Sequence, residues 1–197
     1  MSIKFLWKNT ERGVLIFVIE STIIITQTKK WLADVVIGCH FCPFANKPFK
    51  GDSIHYEVTG SSDSASCRQD LLLECQRLDA HPEIETTLLI LPNTFQDFDD
   101  YLDLVAMAED LLIAQDYDGV YQVAGFHPDY RFGDAPVDDP ANYTNRSLYP
   151  MFHLIREESI DQALASDLDP DSIPEKNVAF ARDKGLIYMK VLRDACF

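Results

Sequence analysis

Three short apolar runs constrain this chain most. Residues 53–59 (SIHYEVT), 86–91 (TTLLIL) and 120–126 (VYQVAGF) have strand composition and are bounded by turn-forming residues. Between them lie two segments with apolar residues at helical spacing. The first carries Leu71, Leu72, Cys75 and Leu78; the second carries Phe98, Tyr101, Leu102, Val105, Ala108, Leu111 and Leu112. The order strand–helix–strand–helix–strand, with connections long enough for right-handed parallel crossovers, predicts an α/β layer. The run 86–91 lacks alternation, which suits a strand covered on both faces. The expected architecture is a single layered α/β domain with a small, mostly parallel sheet flanked by helices, and a helical C-terminal part.

Residues 29–37 (KKWLADVVI) bring Trp31, Leu32, Val35 and Val36 to helical spacing, and Gly38 is placed to end that helix. Ser66 with Gln69, and Thr94 with Asp97, read as helix N-terminal caps. Pro150 suits a first helical position with Met151, Leu154 and Ile155 behind it, which would put His153 and Glu157 on one face. Ser159 with Gln162 predicts a short helix to Ala165, and Ser172 with Pro174 another ending near Gly185. The tail 186–192 (LIYMKVL) fits either strand or helix, and the β-branched run 22–26 (TIIIT) reads as a strand or buried segment.

A chain of 197 residues can bury one core without disulfide or metal staples, and 47% hydrophobic with 25% charged residues is a globular balance. The net charge is −15, divided into +4 over residues 1–50 and −19 over the remainder. Such an acidic body repels phosphate backbones and anionic lipid, so nucleic acid and membrane are not expected partners. The apolar stretch 14–26 is too short to span a bilayer and is broken by Glu20; no small-residue cleavage site follows it. Five cysteines without framework spacing favour reduced thiols and a cytoplasmic location. Residues 1–26 read as an N-terminal extension and 27–197 as the domain.

Ligands of open α/β sheets gather beyond the carboxyl ends of the strands, where Asn93 follows the second run and His127 the third. An imidazole there suits acid/base work near neutral pH. The loop 128–149 is long for a compact domain and dense in polar groups, among them Asp134, Asp138, Asp139, Asn142, Asn145, Arg146 and Ser147. Arg146 is a candidate clamp for a carboxylate or phosphate, and equally a strut pairing with Asp138 or Asp139. Cys39 and Cys42 form a C-x-x-C that lacks the second pair of a zinc site and follows a helix rather than opening one. Cys42 is left as a lone nucleophile or polar contact, with Lys47 close enough in sequence to lower its pKa. Asp138 and Asp139 with Asn142 or Asn145 offer oxygen ligands for a divalent cation, although the spacing matches no calcium loop. The turn Gly60-Ser61-Ser62 lacks the lysine of a P-loop.

Several blocks together resemble the bacterial domain of unknown function family 1415: Trp31-Leu32, Cys42-Pro43-Phe44-Ala45, Glu85-Thr86-Thr87-Leu88, Phe126-His127-Pro128, Tyr143-Thr144-Asn145-Arg146-Ser147, Tyr149-Pro150 and His153-Leu154 with Arg156-Glu157. The resemblance runs over about residues 27–185; the family's usual proline is replaced by Leu148, and Cys39 stands where it has another residue. It implies that Cys42, His127, Asn145, Arg146 and His153 belong to one recurring pattern, and it names no activity and no cofactor. The expected function is binding of a small anionic metabolite at the carboxyl edge of the sheet. His127 and Cys42 would do chemistry there, and Arg146, Asn145, Ser147, His153, Asn93 and Lys47 would hold the ligand. The alternatives are an interaction protein using its acidic surface, and a divalent-metal hydrolase built on Asp138 and Asp139.

Overall fold

The computed structural model describes residues 3–133, 135–164 and 172–197; Asp134 and the expected helix end at Ala165 lie outside them. The three predicted strands form as β1 (Ile54–Val58), β2 (Thr86–Ile90) and β3 (Tyr121–Phe126), all running in one direction. A fourth strand, β4 (Met151–Arg156), enters between β2 and β3 and is antiparallel to both, so the order is β1-β2-β4-β3 and the sheet is mixed rather than mostly parallel. β4 occupies the stretch expected to open a helix at Pro150. With neighbours on both sides, its backbone groups are paired and its apolar residues reach both faces, which outweighs the helical start signal. His153 and Glu157 accordingly do not share a helix face: His153 is inside the strand, and Glu157 begins α5 (Glu157–Leu164).

One face of the sheet is covered by α3 (Ser64–Ala80) and α4 (Phe98–Ala114), which pack Leu71, Leu78, Leu104 and Ala108 against Leu89, Val123, Phe152 and Leu154. α3 starts three residues earlier than expected, capped by Asp63 rather than Ser66: the Asp63 carboxylate accepts the Ser66 amide at 2.8 Å while the Ser66 hydroxyl accepts the Asp63 amide at 3.4 Å. α4 is capped by Asp97, which accepts from the amides of Asp99 and Asp100, and not by Thr94.

The opposite face is covered from the N-terminal side by α1 (Ile3–Trp31) and the π-helical turn Leu32–Ile37 that continues it, and from the C-terminal side by α6 (Ile173–Lys184) and α7 (Leu186–Asp194). Trp31, Val35, Val36, Ala181 and Met189 meet Val58, Leu88, Ile90 and Met151 there. The run 22–26 is therefore helical and not a strand. The hydroxyls of Thr22 and Thr26 donate back to carbonyls four residues earlier, while Ile24 and Ile25 turn to the core. The π-helical turn ends at Gly38, whose amide bonds the Ala33 carbonyl at 2.9 Å and where a Cβ would collide with the Asp34 carbonyl oxygen. The 39–51 loop contains the short α2 (Asn46–Lys50), the tail is helical as α7, and among the described residues no helix is long and apolar enough to cross a membrane.

Candidate functional site

The carboxyl edge of the parallel strands holds His127 where expected, but closes around it. Its ring is 0% exposed. Nε2–H donates to the Phe95 carbonyl at 3.0 Å, Nδ1 accepts the Asp129 amide at 3.0 Å, and Phe98 and Tyr101 flank the ring. Both nitrogens are thus committed to fixing loops, and burial holds the imidazole below its ordinary pKa. Arg146 is a strut, though not toward Asp138 or Asp139. Its Nε donates to the Tyr130 carbonyl at 3.0 Å and Nη2 to the Val137 carbonyl at 2.9 Å, with the guanidinium over Tyr143. The 128–149 loop is long because it is folded on itself. Asn142 is fully buried and ties Phe132 to Pro136, and Arg193 of α7 holds the Pro128 carbonyl. Asp139 caps the 3-10 turn Pro140–Thr144 and pairs with Arg182 at 2.7 Å, so its oxygens are engaged. Asn145 receives the Thr144 hydroxyl, Ser147 donates to the Tyr149 carbonyl at 2.5 Å, and Asn93 is exposed in a turn.

A shallower hollow of about 600 Å³ lies between the 128–149 loop and α6, with Asn145 and Arg182 in its lining, whereas the more enclosed, largely apolar cavity lies against the sheet on the face away from α3 and α4. About 540 Å³ in volume, it lies over the α1/α6 side of the sheet and reaches the rim where β1 and β2 begin and β4 ends. Its floor is Leu88, His153 and Ile155 of the two central strands; Trp31 and Phe126, 5.4 Å apart in edge contact, make one wall. The segment carrying Cys42 and Phe44 makes the other, and Ser159 of α5 closes the end. Of the candidates named from sequence, Cys42, Lys47 and His153 come together here, whereas His127, Arg146, Asn145, Ser147 and Asn93 do not line this cavity.

The lining is mostly apolar, and its polar groups are few and distinct. His153 stands on a central strand with a ring contact to Phe126, and among the described residues its nitrogens have no hydrogen-bond partner. Burial pushes it down to about 4, so at neutral pH it is an uncharged base facing the cavity. Cys42 is pushed above the ordinary thiol value by burial, against the opposing amides of Phe44 and Ala45. It is therefore a thiol and not an activated thiolate. Lys47 is exposed and Glu85 half-buried, both at the mouth, and neither joins an ion pair among the described residues. Thr86, by contrast, spends its hydroxyl on the Leu154 carbonyl at 2.6 Å.

A second cluster, invisible in the sequence, brings donor atoms of His55, Glu57 and Glu74 within 4.8 Å of one another. Arg77 occupies it, with Nε 3.1 Å from both Glu74 oxygens and Nη2 3.7 Å from Glu57. The cluster is an ion-pair network fastening α3 to β1.

A protein-family model described as "Protein of unknown function (DUF1415)" matches residues 23–190. The chain belongs to this DUF1415 family. No curated protein and no solved structure matches it. Five of the seven blocks that carry the family resemblance converge on the cavity from separate elements: Trp31 from the end of α1 with Leu32 from the π-helical turn, Cys42 to Ala45 from the following loop, Glu85 just before β2 with Thr86 and Leu88 inside it, Phe126 from β3 and His153 from β4. Sequence reasoning passed over Trp31, Glu85, Phe126 and Ile155 as site residues, and read Ser159 only as a cap. Their co-occurrence in those blocks was the available signal for the first three.

Proposed function

We propose that this DUF1415 protein binds a small molecule with a largely apolar body and an anionic group in the cavity above His153. The observation that carries the reading is an imidazole on a central strand, without a partner among the described residues and facing a cavity large enough for a guest. Polar groups inside proteins are as a rule hydrogen-bonded, and a pocket of ~300–1,000 Å³ with apolar walls and a few convergent polar groups is the usual form of a small-molecule site. The aromatic wall takes the body of the ligand, Lys47 at the mouth takes its negative charge, and His153 and Cys42 supply polar contacts. Any acid–base step falls to His153, since His127 has both nitrogens engaged and Cys42 is held as a thiol.

The test is a titration of short- and medium-chain carboxylates, with 3-phenylpropionate as the aromatic member. Indole fluorescence and the ring nitrogens of His153 by NMR are the readouts. A saturable change that disappears when Ile155→Trp fills the floor, and weakens in Lys47→Ala, supports the proposal; the absence of any saturable change across the series sinks it. A second reading, an acidic docking face for a basic partner, is favoured by the exposed Asp99, Asp103, Glu109 and Asp110 of α4. That helix covers the other side of the sheet, so the two roles are spatially independent.

A further inference from the structure

The mouth of the cavity carries two opposite charges that do not meet. Lys47 sits in α2 and Glu85 immediately before β2, and the two segments are tied through Ser53: its amide bonds the carbonyl of Pro48, the residue after Lys47, at 3.1 Å, and its carbonyl receives the Glu85 amide at 2.8 Å. Despite this shared anchor, no ion pair joins them, and among the described lining residues they are the one lysine and the one carboxylate. An acid on the wall of an apolar pocket discriminates. A purely anionic guest would leave Glu85 repelled and half-desolvated, whereas a guest with an ammonium beside its carboxylate satisfies both groups.

We infer that the ligand is a zwitterion with an apolar side chain, a free α-amino acid of the leucine, methionine or phenylalanine type. Its carboxylate meets Lys47, its ammonium meets Glu85, and its side chain lies between the Trp31–Phe126 wall and the Ile155 floor. This inference rests on the cavity being a ligand site, and it goes beyond that reading by requiring a positive charge on the guest.

Calorimetric titration at pH 7 of L-leucine, L-methionine and L-phenylalanine, each beside its deaminated acid and its decarboxylated amine, separates the two. The amino acids are expected to bind roughly fivefold or more tighter than either partial analogue. Glu85→Gln should close the gap between amino acid and deaminated acid, weakening the amino acid, which loses its ammonium partner, and strengthening the acid, which loses a repelling charge. Lys47→Met should do the same for the gap between amino acid and amine. Both positions are at the surface mouth, and retained far-UV circular dichroism confirms that the variants fold. If the deaminated acids bind in the cavity and the amino acids bind no tighter, or if Glu85→Gln leaves the ratio as it was, the zwitterion inference is overturned and the small-molecule reading stands. If no compound of any class binds, both fall.

Discussion

The indole N–H of Trp31 donates to the backbone carbonyl of Arg146 across 3.1 Å, joining a wall of the cavity to the long loop 128–149 within the same core cluster. The same arginine grips the Tyr130 and Val137 carbonyls with its side chain, so one residue fastens three segments. Arg146→Ala should destabilise the fold by ~2–4 kcal/mol, the worth of two charge-assisted hydrogen bonds made by a buried guanidinium to part-buried carbonyls. Arg146→Lys should restore little of it, because one ammonium cannot span both acceptors. Urea unfolding of the three proteins reads this directly. Wild-type stability in Arg146→Ala, together with lost carboxylate binding, would reinstate the arginine as an anion clamp.

The half-buried base on β4 makes stability pH-dependent with a definite sign. His153 is pushed from its ordinary value of 6.5 down to about 4, so between these values the unfolded chain binds a proton that the folded chain refuses. Its contribution is complete above pH 6.5 and is lost as the pH falls toward about 4. The loss should be on the order of 2 kcal/mol, since one edge of the ring faces the cavity. His153→Leu should flatten this part of the urea-midpoint profile while leaving the contribution of His127, which has the same sign, in place. A profile identical to wild type would refute the assignment.

Tyr101 reaches past β3 to donate its hydroxyl to the Met151 carbonyl at 2.7 Å, and it can do so because residue 125 is glycine: a Cβ there would lie 2.8 Å from the hydroxyl oxygen. Gly125→Ala should cost ~1–3 kcal/mol as overpacking, and Tyr101→Phe ~1 kcal/mol for the lost bond. The double variant should be less destabilised than the sum by ~1 kcal/mol, because removing the hydroxyl removes the closest clash. Additive effects in a denaturant cycle would show that the two residues do not communicate.

Glu74 has a side chain only 3% exposed and depends on Arg77 to remain paired. Arg77→Ala should destabilise by ~3 kcal/mol at neutral pH by stranding a buried carboxylate. Part of that loss should return on mild acidification, because burial raises the pKa of Glu74 and it protonates readily once its partner is gone. Glu74→Leu combined with Arg77→Leu should recover most of the neutral-pH stability. Failure of the pair to recover it would place the network's value elsewhere, with His55 and Glu57.

What was legible in the chain was whatever local pattern dictates. β1, β2 and β3, the helices α3, α4 and α6, and the recurring blocks containing Cys42 and His153 follow from apolar period, cap chemistry and motif, each confined to a few consecutive residues. β4 escaped because Pro150 followed by a mixed apolar run satisfies a helix start as well as a strand, and only pairing with β2 and β3 decides between them. The run 22–26 escaped for the converse reason, strand-like composition overruled by a helix that packs Ile24 and Ile25 on the core.

The site divides in the same way. His127 and Arg146 carry chemistry suited to catalysis and anion binding, yet their partners are the carbonyls of Phe95, Tyr130 and Val137, which any residue type can supply and no motif marks. His153 carries no stronger signal in the chain, but the fold leaves it facing open volume without a partner among the described residues. Residue identity sets what a side chain is able to do; whether its hydrogen-bonding capacity is consumed by the backbone or kept for a guest is settled by packing between segments distant along the chain.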